Sequence, residues 1–368
     1  MKKIILILCL FVMALSCSKD ENTAPDTYDR TALLTNWADN IIVPSYTNYQ
    51  AKVSVLQENT NIFIATPTTA NLQLVRTAWL ESYKAYQYVM LYNFGKALEI
   101  NLRETTNTYP TNTTGINANI TSGGYNFNLL SQFDKQGFPA LDYLINGVAT
   151  NDSDIVNFYT TNVNAVKNKQ YLIDVTNKLK ANADLVLNHW TTTYRNEYVA
   201  NNGNSVTSGV DITTNNFVQN LEKDIRTAKI GFPAGIFSSG TKFPEKVEGF
   251  YKNDISKILL IESLKASQDF FNGKNFNNTT IGPSHKDFLD FLNVVRNDQK
   301  LSDIINNQYA AILISNNTLN DSFSLQVNTD NAKMISAYDV LQKNVVYTKL
   351  DMMQALSITV DYADNDGD

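Results

Sequence analysis

The chain has 368 residues, 43% of them hydrophobic, with a net charge of -6. That length suffices for one large domain or two ordinary ones with buried cores, and no basic stripe points to nucleic acid. Only 8 Pro and 15 Gly argue against a turn-rich β-sandwich and favour long helices.

The first residues are Met1-Lys2-Lys3, then an apolar run over 4–15, then Ser16-Cys17. A basic start, a short apolar stretch and a small residue before the cut site make a secretory signal, and the run is too short for a permanent transmembrane helix. Ser16-Cys17 resembles a bacterial lipobox, which predicts cleavage before Cys17, a lipid on its thiol and attachment to a membrane. The sequence has 2 Cys, and Cys9 lies inside the signal. On this reading no disulfide staples the fold, which burial alone must hold. Residues 17–27 read as a lipidated Cys and flexible tether. Lys19-Asp20-Glu21 is either a surface-export tag or a plain solvated linker.

Residues 28–56 have mostly helical spacing, with Leu34, Trp37, Ile41, Tyr49, Val53 and Leu56 apolar. Pro44 should kink or split that helix, and Thr68 or Thr69 should cap the next. The strongest helix signal covers 72–94, where Leu72, Val75, Trp79, Tyr83, Tyr86, Met90 and Phe94 recur three or four apart. That aromatic stripe reads as bundle core rather than as a ligand box. Residues 101–125, rich in Asn, Thr and Gly, read as a long loop of the kind that lines a site.

Helical spacing returns over 162–198 and 216–227, then over 253–271, 285–296, 298–314 and 331–356. Two short runs share the pattern K-x-G-F-P-A, at 135–140 and 229–234. Their matching context suggests a duplicated helical unit. No segment shows sustained strand alternation. The fold class is all-α, two packed helical-bundle domains related by a pseudo-repeat, with boundaries at 28–155 and 156–357 and an acidic tail at 358–368.

Catalytic signatures are thin: there is no H-E-x-x-H, P-loop, G-x-S-x-G or zinc-type Cys pair. The only histidines, His189 and His285, are far apart, and a zinc hydrolase site generally needs three protein ligands. His189 reads as structural or surface. Two carboxylates remain. Asp142 follows the first G-F-P turn and is either a satisfied helix charge or a site residue. Glu248 follows the second and is either on a solvated helix face or in a site. Asp364-Asn365-Asp366-Gly367-Asp368 hints at a calcium loop but lacks its first ligand and its later Glu, so it reads as an exposed tail.

These residues together resemble the imelysin family. Ile41-Ile42-Val43-Pro44-Ser45-Tyr46 is similar to its I-x-P-x-Y motif, and Ala78-Trp79 through Phe94-Gly95 to its A-W…F-G helix. Gly137-Phe138-Pro139-Ala140-Leu141-Asp142 stands where the family has G-x-H-x-x-E. Lys229-Ile230-Gly231-Phe232-Pro233, then Glu248 and Tyr251, resembles its K-x-G-I-P…E-x-x-Y segment. The resemblance implies two helical bundles with a site where they meet, in a periplasmic or surface lipoprotein tied to iron or haem uptake. Members were first classed as metallopeptidases using the signature His and Glu. Here Pro139 replaces that His and Asp142 that Glu, while Met90 stands where the helix often carries Glu. Proline has no ligand atom, and Asp reaches less far. The expectation is therefore a non-catalytic binding lipoprotein with no metal ligands assigned, the alternative being a peptidase with an atypical metal site. Trp79, Gly137, Asp142, Tyr143, Gly231, Pro233 and Glu248 are the candidate binding residues, with iron, haem or an uptake-system protein as candidate partners.

Overall fold

The computed structural model describes residues 27–362. The signal, Cys17, most of the tether and the acidic run after Tyr362 lie outside the described residues. The described chain is almost wholly helical, with one two-residue β-ribbon pairing Val295–Arg296 with Gln299–Lys300.

The N-terminal helix does not split at Pro44. It runs from Arg30–Asn36 through a π-helical stretch, Trp37–Ile42, into α1 (Val43–Ala65). Pro44 sits in the first turn after the π stretch, where the helical ladder is already interrupted and a missing N–H costs little. Thr68 caps α2 (Thr69–Tyr86), its hydroxyl accepting from Asn71 N at 3.2 Å. Leu72, Val75, Trp79, Tyr83 and Tyr86 are all buried, as their spacing requires. The helix stops before Met90, and residues 87–91 turn so that Gln87 enters the interior.

The 101–125 segment is not a loop. It holds α3 (Leu102–Asn107) and a ten-residue helix, Thr113–Ser122. Both are short and polar, so no hydrophobic period advertises them. Burial of Leu102, Thr105, Thr106, Ile116 and Ile120 holds them instead. Asn112 caps the second, accepting from Gly115 N at 2.8 Å.

After α4 (Gly137–Asp142) the chain reaches α5 (Ala165–His189), which packs along α1, while α1 packs on α2. Tyr171, Leu172, Val175, Leu179 and Val186 of α5 thereby join the same core as the N-terminal helices. A second, smaller core forms from Leu221, Ile225 and Ile230, on a π-helical segment Asn220–Gly231 that extends α6 (Gly209–Gln219). It is completed by Leu260 and Leu264 of α7 (Ser256–Phe271), Ile312 of α8 (Leu301–Asn317), and Met334, Leu341 and Val345 of α9 (Asn331–Val346). No described helix is long and apolar enough to cross a membrane. The 220–231 segment faces α9 and also meets α3 side chains, which brings the first K-x-G-F-P-A neighbourhood close to the second.

Candidate functional site

Asp142 ends α4 and is 1% exposed. Its Oδ2 accepts from the backbone N of Tyr251 at 2.9 Å, and its Oδ1 from Lys252 N at 2.9 Å and Asn146 Nδ2 at 3.0 Å. Burial pushes its pKa up to about 7, opposed by those donors. The carboxylate is a latch that ties the end of α4 to the turn just after Glu248.

Glu248 is not on a solvated face. It is 2% exposed. Its Oε2 accepts from Lys229 Nζ, and its Oε1 from Asn107 Nδ2 at 2.7 Å and Gln87 Nε2 at 3.3 Å. Lys229 also donates to Gln87 Oε1 at 2.9 Å. The Tyr83 hydroxyl donates to Asn107 Oδ1. A buried ion pair needs such additional partners to offset its desolvation, and here the turn after α2 contributes Gln87 and α3 contributes Asn107.

Above this network lies a cavity of about 410 Å³. Tyr86, Met90, Arg103, Asn107, Tyr109 and Asp224 line it, with Glu104, Phe232 and Lys246 at its edges. A smaller space of about 170 Å³, lined by Pro139, Asp142, Glu245 and Tyr251, shares Tyr109 and Pro110 with it. Arg103 Nη2 lies 3.4 Å from Asp224 Oδ2, and Arg103 Nη1 donates to Gln219 Oε1 at 3.3 Å. Among the described residues, Arg103 Nε and the buried Tyr86 hydroxyl have no hydrogen-bond partner. Burial raises the Asp224 pKa against the pull of Arg103. The larger cavity therefore offers an apolar wall, a guanidinium with unused donor capacity and two carboxylates, which suits binding of a small polar molecule. A groove of about 990 Å³ around Asp29 and Asp211 is larger; the predicted site residues line neither it nor the 410 Å³ cavity, which Asn107 connects to Glu248.

The remaining predicted residues are packed near this network without lining either cavity. Trp79 is buried and donates from Nε1 to Phe138 O at 3.2 Å. Gly137 has φ +77°, and a Cβ there would strike the Thr106 carbonyl. Tyr143 packs its ring 5.2 Å from Tyr251 and shares hydrogen bonds with Asn117. Gly231 leaves room for Phe237 and Tyr338, and Pro233 O accepts from Phe243 N at 3.0 Å. Asp142, Tyr143 and Glu248 thus meet through the 248–252 turn, while Trp79, Gly137, Gly231 and Pro233 line neither cavity. Sequence reasoning missed Gln87, Arg103, Asn107 and Asp224. The i, i+4 pair Arg103 and Asn107 carried a signal, hidden by reading 101–125 as a loop.

The residues do not fit a metal centre of the signature type. Both oxygens of Asp142 and both of Glu248 are taken by N–H donors, and Pro139 offers no ligand atom. Among the described residues no group of three or more His, Cys, Asp or Glu converges. His285 is buried against Trp37, Phe217 and Phe270, with Nε2 2.9 Å from Thr214 Oγ1, and burial lowers its pKa to about 3. His189 stacks on Tyr194 at 5.1 Å, in line with a structural role.

Comparison with known proteins gives a consistent picture. The family model described as Imelysin matches residues 42–347. An imelysin-like protein from Psychrobacter arcticum 273-4 superposes with a TM-score of 0.70 at 17% identity, over 90% of this chain and 97% of its own. A protein named as an iron-regulated protein A precursor, from Parabacteroides distasonis ATCC 8503, gives 0.72 at 15% identity, over 91% and 97%. Identities this low establish the fold alone. Curated proteins yield no sequence match.

Proposed function

The chain belongs to the imelysin family, and from that premise we propose that it is a non-catalytic binding lipoprotein of the cell envelope, serving iron or haem uptake. The observation that carries this reading is the latch: the carboxylate at the signature position spends both oxygens on Tyr251 N, Lys252 N and Asn146. A carboxylate so engaged would have to surrender these bonds to hold a metal, and the neighbouring Pro139 could not assist it. Ligand binding falls instead to the 410 Å³ cavity, through Arg103, Tyr86 and Asp224. Ser16-Cys17 supports anchoring by lipid, in the periplasm or at the surface. The relative named as iron-regulated supports the link to iron.

The test uses the full chain purified in detergent. Haem, ferric citrate and a peptide panel are screened for a rise in melting temperature, since a ligand that binds only the native state stabilises it. A specific ligand should raise it by several degrees in the wild type and much less in Arg103→Gln. Stoichiometric zinc or iron that disappears in Asp142→Ala, together with peptide cleavage, would overturn the proposal in favour of an atypical metallopeptidase.

A further inference from the structure

Gln87, Lys229 and Glu248 form a closed triangle in the interior. They are 0%, 1% and 2% exposed. Lys229 Nζ donates to Glu248 Oε2 and, at 2.9 Å, to Gln87 Oε1. Gln87 Nε2 donates to Glu248 Oε1 at 3.3 Å and to Tyr83 O at 3.3 Å. The amide is therefore held with its oxygen toward the lysine and its nitrogen toward the second oxygen of the same carboxylate. One amine, one carboxamide and one bridging acid, excluded from water, are the parts needed for an amide exchange.

We propose that this triangle matures into an intramolecular isopeptide cross-link between Lys229 and Gln87, with Glu248 carrying the protons. Glu248 Oε2 takes a proton from the Lys229 ammonium that donates to it. The freed Nζ lone pair attacks Gln87 Cδ and forms the new C–N bond. Glu248 gives that proton to Gln87 Nε2 as the Cδ–Nε2 bond breaks, then takes one of the two protons left on the new amide nitrogen. Nitrogen leaves as ammonia, and Glu248 ends as a neutral acid rather than a buried unpaired charge. Nothing is oxidised or reduced, and no co-reactant is required. Asn107, which donates to Glu248 Oε1 at 2.7 Å, also lines the larger cavity, which gives the ammonia a way out.

The bond would join positions 142 residues apart, tying the end of α2 to the 220–231 segment. A closure of that length restricts the unfolded chain as a disulfide would, in a sequence with only 2 Cys. The proposal does not depend on the ligand reading above.

Tryptic digestion of the purified wild-type protein decides it. Cleavage should fail after Lys229, and residues 227–242 should appear joined to residues 85–96, lighter than the two peptides together by one ammonia. Glu248→Gln keeps hydrogen-bonding capacity but cannot shuttle a proton, and should give the two regions unlinked. Cleavage after Lys229 in the wild type, with 85–96 recovered at its full mass, would overturn the proposal even if the variant failed to fold. A linked Glu248→Gln would overturn the role given to Glu248.

Discussion

The two K-x-G-F-P-A runs differ only at Gln136 and Ile230, yet they do opposite things. In the first, Gly137 opens a helix at φ +77° against the backbone of α3, and Phe138 is fully buried, stacked 4.5 Å from Tyr83. In the second, Gly231 continues a helix at φ -64°, and Phe232 is 48% exposed at the cavity edge. Lys135 pairs with Asp134 near the surface, whereas Lys229 is buried on Glu248. Even the following carboxylates diverge, Asp142 holding backbone amides and Glu248 holding side chains. Six nearly identical residues thus build a packing wedge in one place and, in another, bury a lysine and set one ring at a cavity edge. What separates them is the neighbouring helices, not local propensity.

Substitutions at matched positions put that contrast at risk. The largest difference is expected at the lysines. Lys229→Met strands Glu248 as a buried unpaired charge and should cost about 3–5 kcal/mol in denaturant unfolding. Lys135→Met loses a partly solvated pair and should cost at most about 1 kcal/mol. Equal losses would mean the two runs are less different than their burial indicates. Next come the glycines. Gly137→Ala is penalised by its positive φ and by a backbone carbonyl that cannot move aside, for about 2–4 kcal/mol. Gly231→Ala meets only the rings of Phe237 and Tyr338, which can shift, and should cost about 1–2 kcal/mol.

A smaller effect is expected from pH at Asp142. The folded-state pKa of Asp142 is about 7, above the ordinary 3.8. The native state thus holds this proton more tightly than the unfolded chain does. The associated stability is fully present below about pH 4 and is lost as pH rises through 7. In Asp142→Asn, that decline in melting temperature between pH 4 and 7 should flatten, and an unchanged slope would show that Asp142 titrates normally. The smallest effect is expected at Phe232→Leu, within about 0.5 kcal/mol of wild type. It should nevertheless weaken ligand-induced stabilisation if the exposed ring borders the binding cavity.

Much of the fold was legible because it rests on periodicity. The buried stripe of α2 and that of α5 follow their apolar spacing residue by residue. What periodicity could not reveal is structure held by polar burial. Thr105, Thr106 and Asn119 are interior residues of helices whose composition reads as loop. The site was half legible for the same reason. Asp142 and Glu248 stood out beside the shared motif, but Gln87 and Asn107 beside Glu248, and Asn146 beside Asp142, are uncharged amides, which carry no signal until folding surrounds them.

Five stretches of π-helix interrupt the described helices, the longest at Asn220–Gly231. Each amounts to an extra residue accommodated without breaking the rod, and so works as a phase adjuster along a shaft. Within that longest stretch Asp224 addresses the cavity and Lys229, five positions on rather than four, addresses Glu248. Removing one residue between them would restore ordinary winding, in which four positions cover about the same turn as five do here, and leave Lys229 aimed at Glu248. Single-residue deletions should therefore be borne better inside such stretches than in the α-helical parts, where they rotate everything beyond by about 100°.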